Sequence, residues 1–187
     1  MKYPMGIHKS EKKVNYGNRG MALEHDLNET NQYYLNNDIA VIYKKPTPVT
    51  ITKVSYHSRK DAVITEAYFK TPPTTDYNGI YRGKYIDFEA KETKLLYFPL
   101  RNIHDHQIKH LEKIINQGGI GFLIIHFVSL QKIYYLDGKK LINYINETNK
   151  KTIPIDYFEK EGYIIKNKIN PRIDYLSIID KIYFEGE

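Results

Sequence analysis

Apolar positions recur along this chain in two periods, and the change from one to the other divides it into elements. Over Asn18 to Asn37, Leu23, Leu27 and Tyr34 fall at helical spacing, Leu35 widens the stripe and polar residues take the opposite face, which predicts an amphipathic helix. Ile39 to Tyr43 is a short run of strand type, stopped by Lys45-Pro46-Thr47-Pro48, where two prolines forbid a central strand and favour an extended exit. Val49 to Tyr56 then alternates, and Ala62 to Phe69 is a second β-rich run after the polar break His57-Ser58-Arg59-Lys60-Asp61. Together they predict a two-stranded arm, which needs nucleic acid or a second subunit against it because an isolated hairpin is marginal in water. Thr71 to Gly79, with its Pro and Asn-Gly content, reads as a loop.

Tyr85 to Lys91 alternates again, with Ile86, Phe88 and Ala90 on one face and Asp87, Glu89 and Lys91 on the other. After Phe98-Pro99 a helix is predicted from about Ile103 to Asn116, carrying Ile103, Leu111, Ile114 and Ile115, with Gln107 one turn before Leu111. Gly118-Gly119 ends it. Ile120 to Val128 is nearly continuous Ile, Leu and Phe, the pattern of a strand covered on both faces. Lys132 to Leu136 reads as a further strand, Gly138 to Asn149 as a helix through Leu141 and Ile145, and Asp174 to Phe184 as a last helix through Leu176, Ile179 and Tyr183. This order of elements predicts an α/β fold built on one mixed sheet.

Composition narrows the classes. A length of 187 residues predicts one domain, and the absence of cysteine excludes a disulfide scaffold and any thiolate-ligated metal site. No run approaches the roughly 18 apolar residues of a membrane span. The opening Met1-Lys2-Tyr3-Pro4-Met5-Gly6 lacks a signal-peptide core, so a cytoplasmic protein with no membrane partner is expected. Twenty-eight basic against 22 acidic residues give +6, and the excess is concentrated: Ile39 to Lys60 holds Lys44, Lys45, Lys53, Arg59 and Lys60 with no acid. Such a segment is an electrostatic footprint for a polyanion such as nucleic acid, or else a strand pair whose lysines block edge pairing; charge alone leaves both open.

Candidate chemistry centres on Asp76, in a Pro- and Gly-flanked turn thirteen residues before Glu89, with Lys91 beyond. Two carboxylates and a backbone carbonyl suit Mg²⁺, which prefers oxygen ligands and keeps several waters. A metal so placed polarises a phosphoryl oxygen, and a lysine held charged by the acids stabilises the transition state. Taken bare, Asp-x-Glu-x-Lys also describes the wet face of a half-buried sheet. His104, His106 and His110 include the i, i+4 spacing of a zinc pair, but no Glu follows His106, and a phosphate-facing or solvated surface is the better reading.

Longer motifs change the weighing. Asn18-Arg19-Gly20-Met21, Lys44-Lys45-Pro46-Thr47-Pro48, Thr65-Glu66-Ala67-Tyr68-Phe69, Thr74-Thr75-Asp76-Tyr77-Asn78-Gly79, Tyr85-Ile86-Asp87-Phe88-Glu89-Ala90-Lys91-Glu92-Thr93, His104-Asp105-His106-Gln107-Ile108 and Pro171-Arg172-Ile173-Asp174-Tyr175 resemble the RecU family. These are Holliday junction resolvases within the PD-(D/E)xK nuclease group, and the resemblance runs from about Asn18 to Phe184. It implies a restriction-endonuclease-like central mixed sheet flanked by helices, with a protruding two-stranded stalk inserted over about residues 45–73 of a single domain, 1–187. It implies a Mg²⁺ site at Thr74, Asp76, Glu89 and Gln107, a transition-state lysine at Lys91, and an accessory acid at Glu24. It places DNA contacts at Lys44 and Arg59, beside the other basic candidates Lys45, Lys53, Lys60 and Arg19. The partners implied are four-way junction DNA and a second copy of the chain, with recombinase and branch-migration proteins as candidates.

The sequence departs from the family in three places. The segment before Asn18 looks shorter and less basic, the stalk tip reads His57-Ser58-Arg59-Lys60 where Pro-Lys-Arg-Ser is common, and the loop from Thr93 to Phe98 is one residue short. None touches Asp76, Glu89 or Lys91. The expected activity is junction resolution by paired nicks. The alternatives are a junction-binding accessory without catalysis and a restriction-type nuclease on duplex DNA, and comparing cleavage of a junction with cleavage of its arms separates them.

Overall fold

The computed structural model describes residues 21–56 and 58–185. Arg19 and the side chain of Arg59 therefore lie outside what the structure describes. Helix α1 (Met21–Asn36) leads into β1 (Val41–Lys44), and the chain then leaves through the two prolines to form β2 (Val49–Ser55) and β3 (Val63–Phe69). It returns as β4 (Tyr77–Tyr81), β5 (Lys84–Thr93) and the short β6 (Tyr97–Pro99). Helix α2 (Asp105–Asn116), β7 (Ile120–Phe127), β8 (Lys132–Asp137) and α3 (Gly138–Glu147) follow. The chain ends with β9 (Thr152–Pro154), α4 (Ile155–Glu161), β10 (Tyr163–Ile165) and α5 (Leu176–Tyr183).

Six strands form the main sheet in the order β1-β4-β5-β7-β8-β10. All neighbours are antiparallel except β5 and β7, which run parallel because α2 crosses over between them. The expected mixed sheet is thus present, with helices on both faces. Strand β7 shows why its sequence is apolar throughout. Phe122 and Ile124 pack with α1 and α5, while Leu123, Ile125 and Phe127 pack with α2, α3 and α4. The same alternation in β5 sends Ile86 and Phe88 into the α1/α5 layer, so Asp87, Glu89 and Lys91 face the α2 side.

Four rings stack across the sheet, Tyr77, Phe88 and Phe122 in register and Tyr135 diagonal to Phe122, with successive centroids 4.7, 4.6 and 4.6 Å apart. Tyr77 belongs to this ladder, which is why β4 begins there inside the stretch whose Pro and Asn-Gly content predicts loop. Gly79 lies within β4 because a Cβ there would meet Val41 O at 2.0 Å. Gly118, at φ +83°, stops α2 as expected. Four elements carry no period that a sequence reading registers: the β6/β9 pair, α4 and β10, none longer than seven residues.

The arm is a separate two-stranded sheet, β2 with β3, whose register shifts around Lys53. Every residue of β3 is exposed, as is all of β2 but one position. Its root is tied down. Lys70 N donates to Pro48 O at 2.9 Å, Lys45 N donates to Asp76 O at 2.8 Å, and the His106 ring bonds Pro72 O at 2.8 Å. The Pro171-to-Tyr175 motif has a structural use: Ile173 N donates to Thr30 Oγ1 and Tyr175 OH to Asn31 Oδ1, fastening the C-terminal segment to α1.

Candidate active site

A cleft of about 580 Å³ opens between the N-terminal turn of α1 and the root of the arm, walled by Glu24, Lys44, Thr74, Asp76, Lys91 and Glu92 among others. Beneath it Glu89 is completely buried, as is Asp87 two residues earlier on the same face of β5. Sequence alternation placed both acids on one face, and the α2 helix and the Thr74–Asp76 loop cover that face, so it is not a wet one.

Glu89 and Asp76 converge. Asp76 N donates to Glu89 Oε2 at 3.1 Å, and the Lys91 ammonium bridges the pair, in contact with Glu89 Oε1 and 3.6 Å from Asp76 Oδ2. Burial, reinforced by the Asp76 charge, pushes the Glu89 carboxyl up to about 7, although Lys91 and Gln107 pull the other way. For Lys91, burial opposes the charge, but Glu89 and Asp76 outweigh it and hold the ammonium above the usual lysine value. Glu89 Oε1 is buried and, apart from that ammonium, accepts no hydrogen bond of ordinary geometry among the described residues. Gln107, buried in the first turn of α2, donates from Nε2 to Thr74 O at 3.3 Å and accepts at Oε1 from His104 N at 3.0 Å. The structure therefore brings together Thr74, Asp76, Glu89, Lys91 and Gln107 from three elements.

Glu24 stands on the cleft wall with its carboxylate 2.5 Å from Lys44 Nζ, so this acid and this base meet at the rim. Lys45, grouped by sequence with the DNA contacts, turns inward. Its ammonium reaches Asp87 Oδ2 at 2.8 Å, Thr75 Oγ1 at 2.9 Å and Thr74 Oγ1 at 3.2 Å. Lys53 and Lys60 are exposed on the arm.

Asp87 is what sequence reasoning left without a role. Besides Lys45 it accepts from Thr75 Oγ1 and from Tyr85 OH at 3.1 Å, and it meets His110 Nε2 at 3.2 Å. One buried carboxylate thus ties the end of β1, the loop carrying Asp76 and the helix carrying Gln107 to β5. Its shared face with Glu89 was a signal, but the partners come from elements distant in sequence. The supposed zinc pair is divided by the same contacts, since His110 serves Asp87 and His106 serves Pro72. His25, Asp26 and Glu29 also come together on the outer face of α1, where Arg172 neutralises the two acids at 2.5 and 3.2 Å. Among the described residues no helix is long and apolar enough to cross a membrane.

A helix-flanked mixed sheet that presents two converging acids and a lysine, from β5 and from the loop before its hairpin partner β4, has the arrangement that the resemblance to the PD-(D/E)xK nucleases implies. The family model described as RecU, Recombination protein U, matches residues 18–181. The chain belongs to the RecU family. Relatives carrying the name Holliday junction resolvase RecU include one from Bacillus cytotoxicus, 54% identical over 177 residues, covering 92% of this chain and 88% of that protein. One from Geobacillus kaustophilus is 51% identical over 196 residues, covering 98% of each. Among solved structures, Archaeoglobus fulgidus Hjc, described as a Holliday junction resolvase, gives a TM-score of 0.47 at 14% identity, covering 78% of this chain and 95% of that one.

Proposed function

We propose that this chain is a Mg²⁺-dependent endonuclease that resolves four-way DNA junctions by paired symmetric nicks, in recombination and DNA repair. The observation that carries the reading is the meeting of Asp76 and Glu89 at Lys91, in a cleft whose wall is the root of the arm. The names of the relatives, Holliday junction resolvases at 51–54% identity, support the substrate.

The residues fit a divalent cation. Two carboxylates against one ammonium leave net negative charge, and Glu89 Oε1 is a buried acceptor short of partners. Oxygen donors of this kind suit a hard ion. Asp76 and Glu89 would hold it, with Thr74 and Gln107 completing the set, and the bound ion supplies Lewis acidity and an acidified water at the scissile phosphate. Lys91, kept protonated by its acidic neighbours, neutralises the charge that accumulates as water adds to phosphorus and the phosphorus–oxygen ester bond breaks. Glu24 and Lys44 shape the rim beside the reacting phosphate. The arm, over about residues 45–73 of one nuclease domain, enters the crossover, where Lys53, Lys60 and Arg59 meet phosphates. A junction is nearly two-fold symmetric, so two matching cuts call for a C₂ homodimer. Recombinase and branch-migration proteins are the candidate partners, and work on chromosomal DNA suits a cytoplasmic protein.

A nicking assay on a synthetic mobile junction, beside its arms as linear duplexes, tests this. Symmetric Mg²⁺-dependent cuts in the junction are expected, lost in Glu89→Ala while junction binding persists. Binding without cutting would make the chain an accessory, and equal cutting of the arms a duplex nuclease.

A further inference from the structure

On the far side of the first turn of α2 from the cleft lies a second depression, about 840 Å³ in volume, between the end of β6 and the segment entering β9. Its rim carries Arg101, Lys109, Lys150 and Lys151, all exposed, with Asp105 as its one acid. Lys44, Lys45, Lys91, Lys132, Lys140 and Lys168 each meet a carboxylate. Like Lys53, Lys60 and Lys181 among others, Arg101, Lys109, Lys150 and Lys151 meet no carboxylate among the described residues, and these four gather around one depression.

The depression is also built rather than incidental. The β6/β9 pair, with Phe98 opposite Ile153, fixes its floor, and Leu100 N donates to Lys151 O at 2.9 Å, so Arg101 and the two lysines are delivered by a hydrogen-bonded corner. It adjoins the active cleft. His106 lines the depression while its ring bonds Pro72, which lines the cleft, and the next residue, Gln107, bonds Thr74. The first turn of α2 stands between the two.

A duplex whose reactive phosphate lies beside Asp76 therefore carries its backbone over that turn and onto four cations that the protein leaves unneutralised. We propose that this trough grips the phosphates of one duplex arm of the junction, a contact separate from the stalk's contact with the crossover. The inference rests on the junction-cleaving reading above and adds to it the path of an arm. Unpaired lysines that neutralise phosphates release counterions, so each contact adds about 0.9 to the slope of log affinity against log salt.

The test is junction binding without divalent cation, measured across a salt series. Lys150→Ala/Lys151→Ala should flatten the slope by about 1.8 and weaken binding about tenfold at moderate salt. Arg101→Ala/Lys109→Ala, a second pair in a different segment, should do the same, while Lys181→Ala on α5, in the opposite layer, should leave the slope unchanged. The same flattening is expected on a linear duplex of arm sequence, since an arm is duplex. Unchanged slopes in both double variants would overturn the trough, and a change confined to the junction would overturn its assignment to an arm. Failure of the wild type to cut the junction would remove the nuclease reading without touching these slopes, so the two fail separately.

Discussion

The face of β5 and the arm are both hairpin-derived, both charged, and stabilised in opposite ways. On β5, Asp87 and Glu89 are fully buried and each is held from several elements at once. On β2 and β3 nearly every side chain is exposed, Phe69 at 84% and Tyr68 and Val63 at 60%, and the sheet has two strands and, among the described residues, no layer against it. A nuclease centre must hold its acids in place before substrate arrives, at the cost of burying charge. A lone two-stranded sheet is marginally stable in water, and under the proposed function the junction DNA supplies the missing partner. The two regions join at Lys45, whose backbone bonds Asp76 and whose ammonium bonds Asp87, immediately before the chain turns outward at Pro46.

The largest separation of the two regions should appear in cleavage. Glu89→Ala or Asp76→Ala should lower junction nicking by about a thousandfold or more with little change in junction affinity, as expected for groups that act only on the reacting phosphate. Lys91→Ala should cost on the order of a hundredfold to a thousandfold. Single-turnover rates beside gel-shift affinities measure both. A variant that loses binding as much as rate would place these side chains in substrate recognition and blur the contrast.

Next in size is the brace. Asp87→Ala leaves the half-buried Lys45 ammonium without its counter-charge and frees Thr75 and His110. Breaking a buried pair from one side costs about 3–5 kcal/mol. For a chain of this length that is roughly 10 °C or more in Tm, read by thermal unfolding. Lys45→Met should lose less than Asp87→Ala, because Asp87 retains Thr75, Tyr85 and His110. Equal losses would mean that the pair acts alone and that β5 is not braced from three sides.

These contrasts were partly legible in the residues. The alternation over Tyr85 to Lys91 fixes which acids share a face, the apolar run over Ile120 to Val128 fixes a strand covered twice, and the two prolines after Lys45 fix where the arm departs. What could not be read is whatever depends on pairing between distant segments. Whether Asp87 is wet or buried depends on α2 and the Thr74–Asp76 loop closing over it, and Lys45 counts as surface charge until Asp87 is known to lie 2.8 Å away. Three-residue strands such as β6 and β9 are too short to show a period, so the corner they build was invisible as well.

The buried acid also gives the two regions different responses to pH. Glu89 has its carboxyl raised to about 7 from an ordinary value of 4.5. The folded chain therefore holds this proton more tightly than the unfolded chain does. Its contribution to stability is complete below about 4.5, falls as pH rises, and is lost once pH passes the folded value near 7. Glu89→Gln carries no charge at any pH, so without divalent cation it should melt higher than the wild type at pH 8, by roughly 1–3 kcal/mol or several degrees, with the gain fading toward pH 5. A gain independent of pH would assign it to packing. Adding Mg²⁺ should raise the wild-type Tm at pH 8 and leave Glu89→Gln nearly unmoved, since the ion binds the folded form through the ionised acid.

The smallest effect belongs to the arm, and its smallness is the point. Ile64 is 52% exposed on β3, and replacing it by Thr keeps the β-branched shape while removing apolar surface about half of which water already covers. The cost to stability should stay within about 0.5 kcal/mol, the range of surface substitutions away from special features. Had this face a partner within the chain, the same change would cost a transfer term plus a polar group buried without a bond, of the order of 2 kcal/mol. Paired melts of Ile64→Thr and of the core change Ile124→Thr, at a fully buried position, measure the two on one scale. A loss at Ile64 comparable to that at Ile124 would show the arm packed against something in solution, and its dependence on protein concentration would say whether that is a second copy of the chain.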